Sequence, residues 1–381
     1  MLITPPLALY IHFPWCVQKC PYCDFNSHKA PSQIPEKQYI DALLEDLALD
    51  TVGHEHRPIV SIFMGGGTPS LFSPDAIAYL LEAVKQRLAV SESLEVTLEA
   101  NPGTIEHGRF AVYRAAGVNR VSLGAQSFNS AQLTQLGRIH GSDDIVVAVD
   151  ELRQAGIDNF NLDLMYGLSA QTLPEALSDL RRAIALQPTH LSHYQLTLEP
   201  GTPFFHRPPQ LPDDEQCYAM QLECQALLAE AGYQHYEVSA YAKRGFRSVH
   251  NLNYWQFGDY FGIGAGAHGK LTHNGLVTRT ERVKQPRQYL TASVEQRLVQ
   301  HPAVNAAELP FEFMLNVLRL RDGFEQTLFE QRTGLPWSSI AERVVMAEQS
   351  GLLARTNDQF WVPTPMGRQF LNDLVSLFLA N

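Results

Sequence analysis

Between residues 7 and 198, short apolar runs alternate with longer amphipathic ones, and this alternation narrows the possible folds more than any other feature. The short runs at 7–13, 59–64, 94–99, 120–125, 159–165 and 191–198 are rich in β-branched, aromatic and leucine residues, which predicts strands. Helical patterns fall between them at 36–49, 74–88, 106–116, 143–155 and 174–186. Strand and helix in strict alternation mean parallel strands joined by crossover helices. Six such units form either an open sheet or an incomplete barrel, and periodicity alone does not choose between them.

In parallel α/β folds, ligands gather at the carboxyl ends of the strands. The unusual residues of this chain lie there. Cys16, Cys20 and Cys23 follow the first strand, Gly65-Gly66-Gly67-Thr68-Pro69 the second, Glu99-Ala100-Asn101-Pro102 the third and Gln126-Ser127-Phe128 the fourth, while the fifth contains Asp163. These motifs are expected to converge on one site. The cysteine spacing is three residues, then two. A tight loop of this kind places three thiolates around one iron–sulfur cluster and leaves one iron of a four-iron cluster without a protein ligand. A zinc site with His12 or His28 as fourth ligand is the competing reading, although zinc sites normally carry a second, distant cysteine pair. The glycine triplet lets backbone N–H and C=O groups approach a ligand closely.

Read together, YIHFPWCVQKCPYCDFNSH, GGGTPS, LEANPG, GAQSF, LGRIH and NLDLMYGL resemble the radical S-adenosylmethionine (SAM) superfamily, and within it the oxygen-independent coproporphyrinogen III oxidase-like family. The resemblance covers nearly the whole chain. It implies an α/β fold, an incomplete (β/α)6 barrel with a small, mainly helical, winged-helix-like domain at the C-terminus. It also implies a [4Fe–4S] cluster on Cys16, Cys20 and Cys23, with SAM chelating the open iron. Gly66, Gly67, Thr68, Glu99, Gln126, Arg138 and Asp163 match the family's SAM contacts; a second SAM would bring in Tyr10 and Tyr22.

Two branches of the family need separating. The decarboxylating oxidase has a further cysteine two residues after the third cluster cysteine, where this chain has Phe25, and a long segment before the cluster that is not expected here. The heme-chaperone branch has an HNxxYW pattern, matched by His250, Asn251, Tyr254 and Trp255. The resemblance therefore implies heme binding with His250 as axial ligand, Tyr254 and Trp255 offering flat apolar area to a porphyrin. His193, His206, His235 and His268 remain rival ligands. The leading expectation is heme binding and delivery to an acceptor protein, which in this group includes respiratory, membrane-associated proteins. The alternative is a radical enzyme of the oxidase type, and a radical enzyme acting on RNA is a third. The protein is expected to be a monomer, or a homodimer formed on binding heme.

Composition bears on the remaining classes. The net charge of −11 argues against a dedicated nucleic-acid binder. The winged-helix-like region does not rescue that function, because from residue 301 onward there are six Arg, no Lys and nine Asp or Glu. No secretory signal or membrane-spanning run is expected, and five cysteines without a disulfide pattern favour the cytoplasm. Cys217 and Cys224 lie seven apart on a predicted helix with Met220 and Leu228, and are expected in an apolar stripe. Residues 1–205 are expected to form the barrel, 206–300 an irregular extension with the HNxxYW motif, and 301–381 the C-terminal domain.

Overall fold

The computed structural model describes residues 2–54, 56–104 and 108–380. Six strands run parallel and side by side in chain order: β1 Leu7–Phe13, β2 Ile59–Gly66, β3 Val90–Ala100, β4 Arg120–Gln126, β5 Phe160–Tyr166 and β6 His190–Gln195. Each is joined to the next through at least one helix, as the sequence pattern predicts. Local chemistry sets the helix starts. Ser73 accepts a hydrogen bond from the Ala76 N–H ahead of helix Pro74–Arg87, whose proline has no N–H to satisfy. Thr172 donates its N–H to Glu175 at 2.8 Å ahead of helix Leu173–Ala185. The helix expected at 106–116 runs Arg109–Ala116, and its expected first residue, Glu106, lies outside the described residues.

The stretch expected as an irregular extension carries further strands: β7 Gln234–Glu237, β8 Ala240–Ala242, β9 Asp259–Ile263, β10 His268–His273, β11 Leu276–Arg282 and β12 Leu298–Gln300. All join the same twelve-stranded sheet, in the order β12-β11-β10-β9-β1-β2-β3-β4-β5-β6-β8-β7. β9 lies parallel to β1, with Leu7 opposite Asp259 and Ile11 opposite Ile263. The parallel core therefore has seven strands, and the sheet does not close: an incomplete barrel.

Alternation along the strands sorts side chains between two faces. Leu7, Leu9, Ile11 and Phe13 of β1 are buried among residues such as Tyr39 and Leu43 of the outer helix Glu36–Asp50. The opposite face is polar. There Asn161 donates to Ser122 and Asp163, His190 contacts Asn161 and the Tyr236 hydroxyl, and Ser122 donates to Asp163. The large majority of buried polar groups in folded proteins are hydrogen-bonded, and this network pairs these. Cys217 and Cys224 are buried with Met220 and Leu228 on helix Asp214–Glu230, in the expected apolar stripe.

The C-terminal region packs a second apolar core around Phe313, Phe324, Phe329 and Trp361. Helices surround a three-stranded sheet of Phe324–Glu325, Leu353–Asn357 and Phe360–Pro363, which is the helices-plus-hairpin order read from the sequence.

Candidate functional site

A cavity of about 680 Å³ opens at the carboxyl ends of the parallel strands, lined by Cys16, Cys20 and Cys23. Two backbone hydrogen bonds hold the loop that carries them. The Ala30 N–H donates to the Cys16 carbonyl at 2.8 Å, and the Cys23 N–H donates to the Cys20 carbonyl at 3.2 Å. Arg138 reaches the Cys20 sulfur at 3.6 Å, and the Cys23 sulfur lies 3.7 Å from the Ser27 hydroxyl. Burial pushes the Cys16 and Cys23 thiols up, opposed by hydrogen bonds from Thr68 and Ser27 respectively.

The glycine run after β2 forms one wall. Gly67 and Thr68 donate their N–H groups to the carbonyls of Phe13 and Trp15, at 2.6 and 2.8 Å. Gly66 has φ +106°, and a Cβ there would sit 2.4 Å from the His12 ring; at Gly67 it would sit 2.6 Å from the Trp15 carbonyl oxygen. Only glycine fits either place, so the cradle depends on the triplet.

Carboxylates and one guanidinium complete the lining. The Gly66 N–H donates to Glu99 at 3.1 Å. Burial first, and the nearby Asp163 carboxylate second, push the Glu99 carboxyl up to about 8. Asp163 is also raised by burial, and its bonds from Asn161, Ser192 and Ser122 oppose the shift. Arg138 donates to the Gly124 carbonyl at 2.8 Å, while its Nε is buried without a partner. Gln126 stands at the end of β4 with φ 65° and accepts from the Tyr194 hydroxyl at 2.9 Å.

Gly66, Gly67, Thr68, Glu99, Gln126, Arg138, Asp163 and Tyr22 thus share this cavity with the three cysteines. Tyr10 does not line it; its hydroxyl lies 3.0 Å from His12 Nδ1, behind the wall. Phe25 sits at the rim and is 61% exposed. Sequence reasoning missed Tyr194, Met165 and Arg319 as lining residues. Tyr194 and Met165 carried a usable signal, since they share strand alternation with the polar face; Arg319 comes from the C-terminal region and carried none.

The HNxxYW residues lie elsewhere. Helix Val249–Trp255 packs against β2 on the polar face of the sheet, well before the strand's glycine end. Ser248 caps it, and the Glu95 carboxylate accepts from the N–H groups of Val249 and His250 at 3.0 and 3.1 Å. His250 is 3% exposed, with Nδ1 3.0 Å from the Ser61 hydroxyl and its ring stacked on Phe63 at 4.8 Å. Burial, aided by the Arg120 charge, draws its imidazole down to about 3, so the ring is neutral at physiological pH. Tyr254 meets His250 edge-on at 4.8 Å, and Asn251 bonds Tyr236. Trp255 lies under the Arg319 guanidinium at 4.2 Å, and its ring N–H is buried without a partner.

Residues 10–182 match the radical SAM superfamily model, and residues 304–370 match the HemN C-terminal domain. The chain is 50% identical to heme chaperone HemW of Haemophilus influenzae over 99% of this chain and 98% of that one. It is 48% identical to heme chaperone HemW of Escherichia coli over the full length of both. This chain belongs to the HemW family of radical SAM proteins. Among solved structures, the coproporphyrinogen III oxidase HemN of Escherichia coli superimposes with a TM-score of 0.84, covering 98% of this chain and 90% of that one. At 23% identity that likeness shows a shared fold.

Membership of the superfamily implies a [4Fe–4S] cluster and SAM, and the cavity fits both. It offers three thiols on one loop, a glycine cradle free of side chains, carboxylates for an ammonium group and a guanidinium Nε without a partner. No described helix is long and apolar enough to cross a membrane.

Proposed function

We propose that this protein binds heme and passes it to an acceptor protein, with a [4Fe–4S] cluster on Cys16, Cys20 and Cys23 and SAM held beside it. The observation that carries this reading is the full-length likeness, at about half identity, to two proteins named as heme chaperones. Phe25 adds to it, since the oxidase branch has cysteine at this position.

In this reading Gly66, Gly67 and Thr68 shape the SAM amino-acid pocket, Glu99 and Asp163 supply negative charge, and Arg138 and Gln126 supply hydrogen bonds. Tyr22 contributes to the same pocket, while Tyr10 supports it from behind through His12. The cluster, when bound, supplies one-electron chemistry at the open iron. Arg138, 3.6 Å from the Cys20 sulfur, places a positive charge where cluster thiolates accumulate negative charge.

Heme ligation is assigned to His250, with Asn251, Tyr254 and Trp255 around it, in a state in which helix Val249–Trp255 has withdrawn from the barrel. In the packed state His250 is enclosed and bonded to Ser61. The neutral imidazole is the form that ligates iron. The acceptor is proposed to be a heme-requiring protein, and the complex a monomer or a heme-dependent dimer in the cytoplasm.

The test is an anaerobic heme titration of the cluster-loaded protein, followed by the Soret band, beside the same titration of His250→Ala. One saturable site per chain, weakened or spectrally altered in the variant, is expected. Absence of saturable binding by the wild type overturns the reading, and turnover of coproporphyrinogen III would replace it.

A further inference from the structure

A second cleft, of about 190 Å³, lies between helix Asp214–Glu230 and the C-terminal region. Its walls mix apolar and cationic groups: Tyr218, Leu222 and Leu318 on one hand, Arg319, Arg321 and Arg368 on the other. Arg319 is already engaged, 3.4 Å from Glu237 and stacked on Trp255. The other two have hydrogen-bond partners but no ion pair among the described residues. Among the described residues, no carboxylate lies within ion-pair distance of Arg321 or Arg368. Arg321 donates to His235, a ring held neutral by burial and bonded at its other nitrogen to the Val238 carbonyl. Arg368 donates to the Pro363 carbonyl at 2.6 Å. Burial first, and the Arg321 charge second, pull Arg368 below its ordinary value. Both guanidiniums are half-buried and reach the cleft together, so an anion entering it would meet two positive charges at once.

We infer that this cleft receives the propionate carboxylates of heme, with Arg321 and Arg368 as their partners. The inference rests on the heme reading above and adds an anchoring place to it. Three observations select this occupant. Heme carries two carboxylates on one edge of a flat apolar disc, and the cleft pairs an apolar wall with two guanidiniums that have no carboxylate partner among the described residues. Guanidinium is the group whose planar donors match carboxylates. The cleft also adjoins the HNxxYW helix, because Arg319 lines it and at the same time covers Trp255. A heme anchored here by its propionates would have its ring edge beside the helix that must move to expose His250.

The experiment compares heme with heme dimethyl ester, in which both propionates are blocked, on cluster-loaded wild type, R321Q/R368Q and R321K/R368K. Loss of two charge-assisted bonds predicts heme affinity at least about tenfold weaker in R321Q/R368Q, with the lysine pair retaining most of it. The ester should bind wild type and R321Q/R368Q alike, at the weakened level. R368Q alone, at a partly exposed position, carries the same comparison if the double variant does not fold. Equal heme affinity in wild type and the glutamine variants overturns the inference and leaves the heme reading standing, as does ester binding as tight as heme. Absence of heme binding by the wild type overturns both.

Discussion

Glu99 carries a proton that an exposed glutamate would have lost. Its carboxyl is pushed up to about 8 by burial and by Asp163, whereas the unfolded chain restores the ordinary value of 4.5. Between those two values the folded protein holds one proton more than the unfolded one, so stability falls as pH rises through this window and levels off above it. The ligand-free protein is therefore expected to melt lower at pH 8.5 than at pH 6. In Glu99→Gln that slope is expected to be shallower, as thermal melts of both proteins at the two values would show. An unchanged slope would place the Glu99 carboxyl outside this control. The same argument gives Glu99 a second role: a bound ammonium group favours the ionised carboxylate, so a cationic ligand offsets the cost of ionising it. None of this was readable from the chain, in which Glu99 is one of 40 acidic residues. The cysteines were readable because their spacing is itself the geometry of a loop. Gly66 and Gly67 were readable because a triplet after a strand has few other uses.

At the scale of elements, helix Val249–Trp255 shows how one side chain fixes a whole piece of structure. Glu95 lies more than 150 positions earlier, yet it accepts from two of the helix's first N–H groups, with the Ser248 hydroxyl 3.4 Å away. Helix starts expose positive partial charge, and a carboxylate there is stabilising. Glu95→Gln is expected to cost about 1–2 kcal/mol, seen as a lower denaturation midpoint. If the packed helix restrains His250, the same variant should bind heme faster; a slower rate would contradict that restraint. Strand legibility followed burial pattern. β1 and β2 carry apolar runs and β4 is buried along nearly its whole length, and their expected limits lie within two residues of the observed ones. β9 escaped because Asp259–Ile263 is only five residues long, contains Gly262 and leads directly into Gly264 and Gly266. Gly262 is there because a Cβ would sit 1.8 Å from the His268 carbonyl oxygen, a close approach of β9 to its antiparallel neighbour β10 that composition does not reveal.

At the scale of the molecule, two apolar cores are joined through the motif helix. Leu252 and Trp255 pack against the C-terminal core, while His250 of the same helix sits within the barrel. Phe313 is fully buried there and meets the rings of Phe257, Phe324 and Phe329. Phe313→Ala is expected to cost about 3–5 kcal/mol, read as an earlier unfolding midpoint in tryptophan fluorescence. Trp337 and Trp361, stacked at 4.5 Å in that core, report the change directly. The C-terminal region was legible as helices with a hairpin, but its contribution of Arg319 to the cavity was not, because nothing in the local pattern points across the chain. The place of β9 beside β1 also has a consequence for birth on the ribosome. β1 keeps one edge bare until residues 259–263 have been made, and the nascent barrel must be kept from pairing that edge with a neighbour throughout.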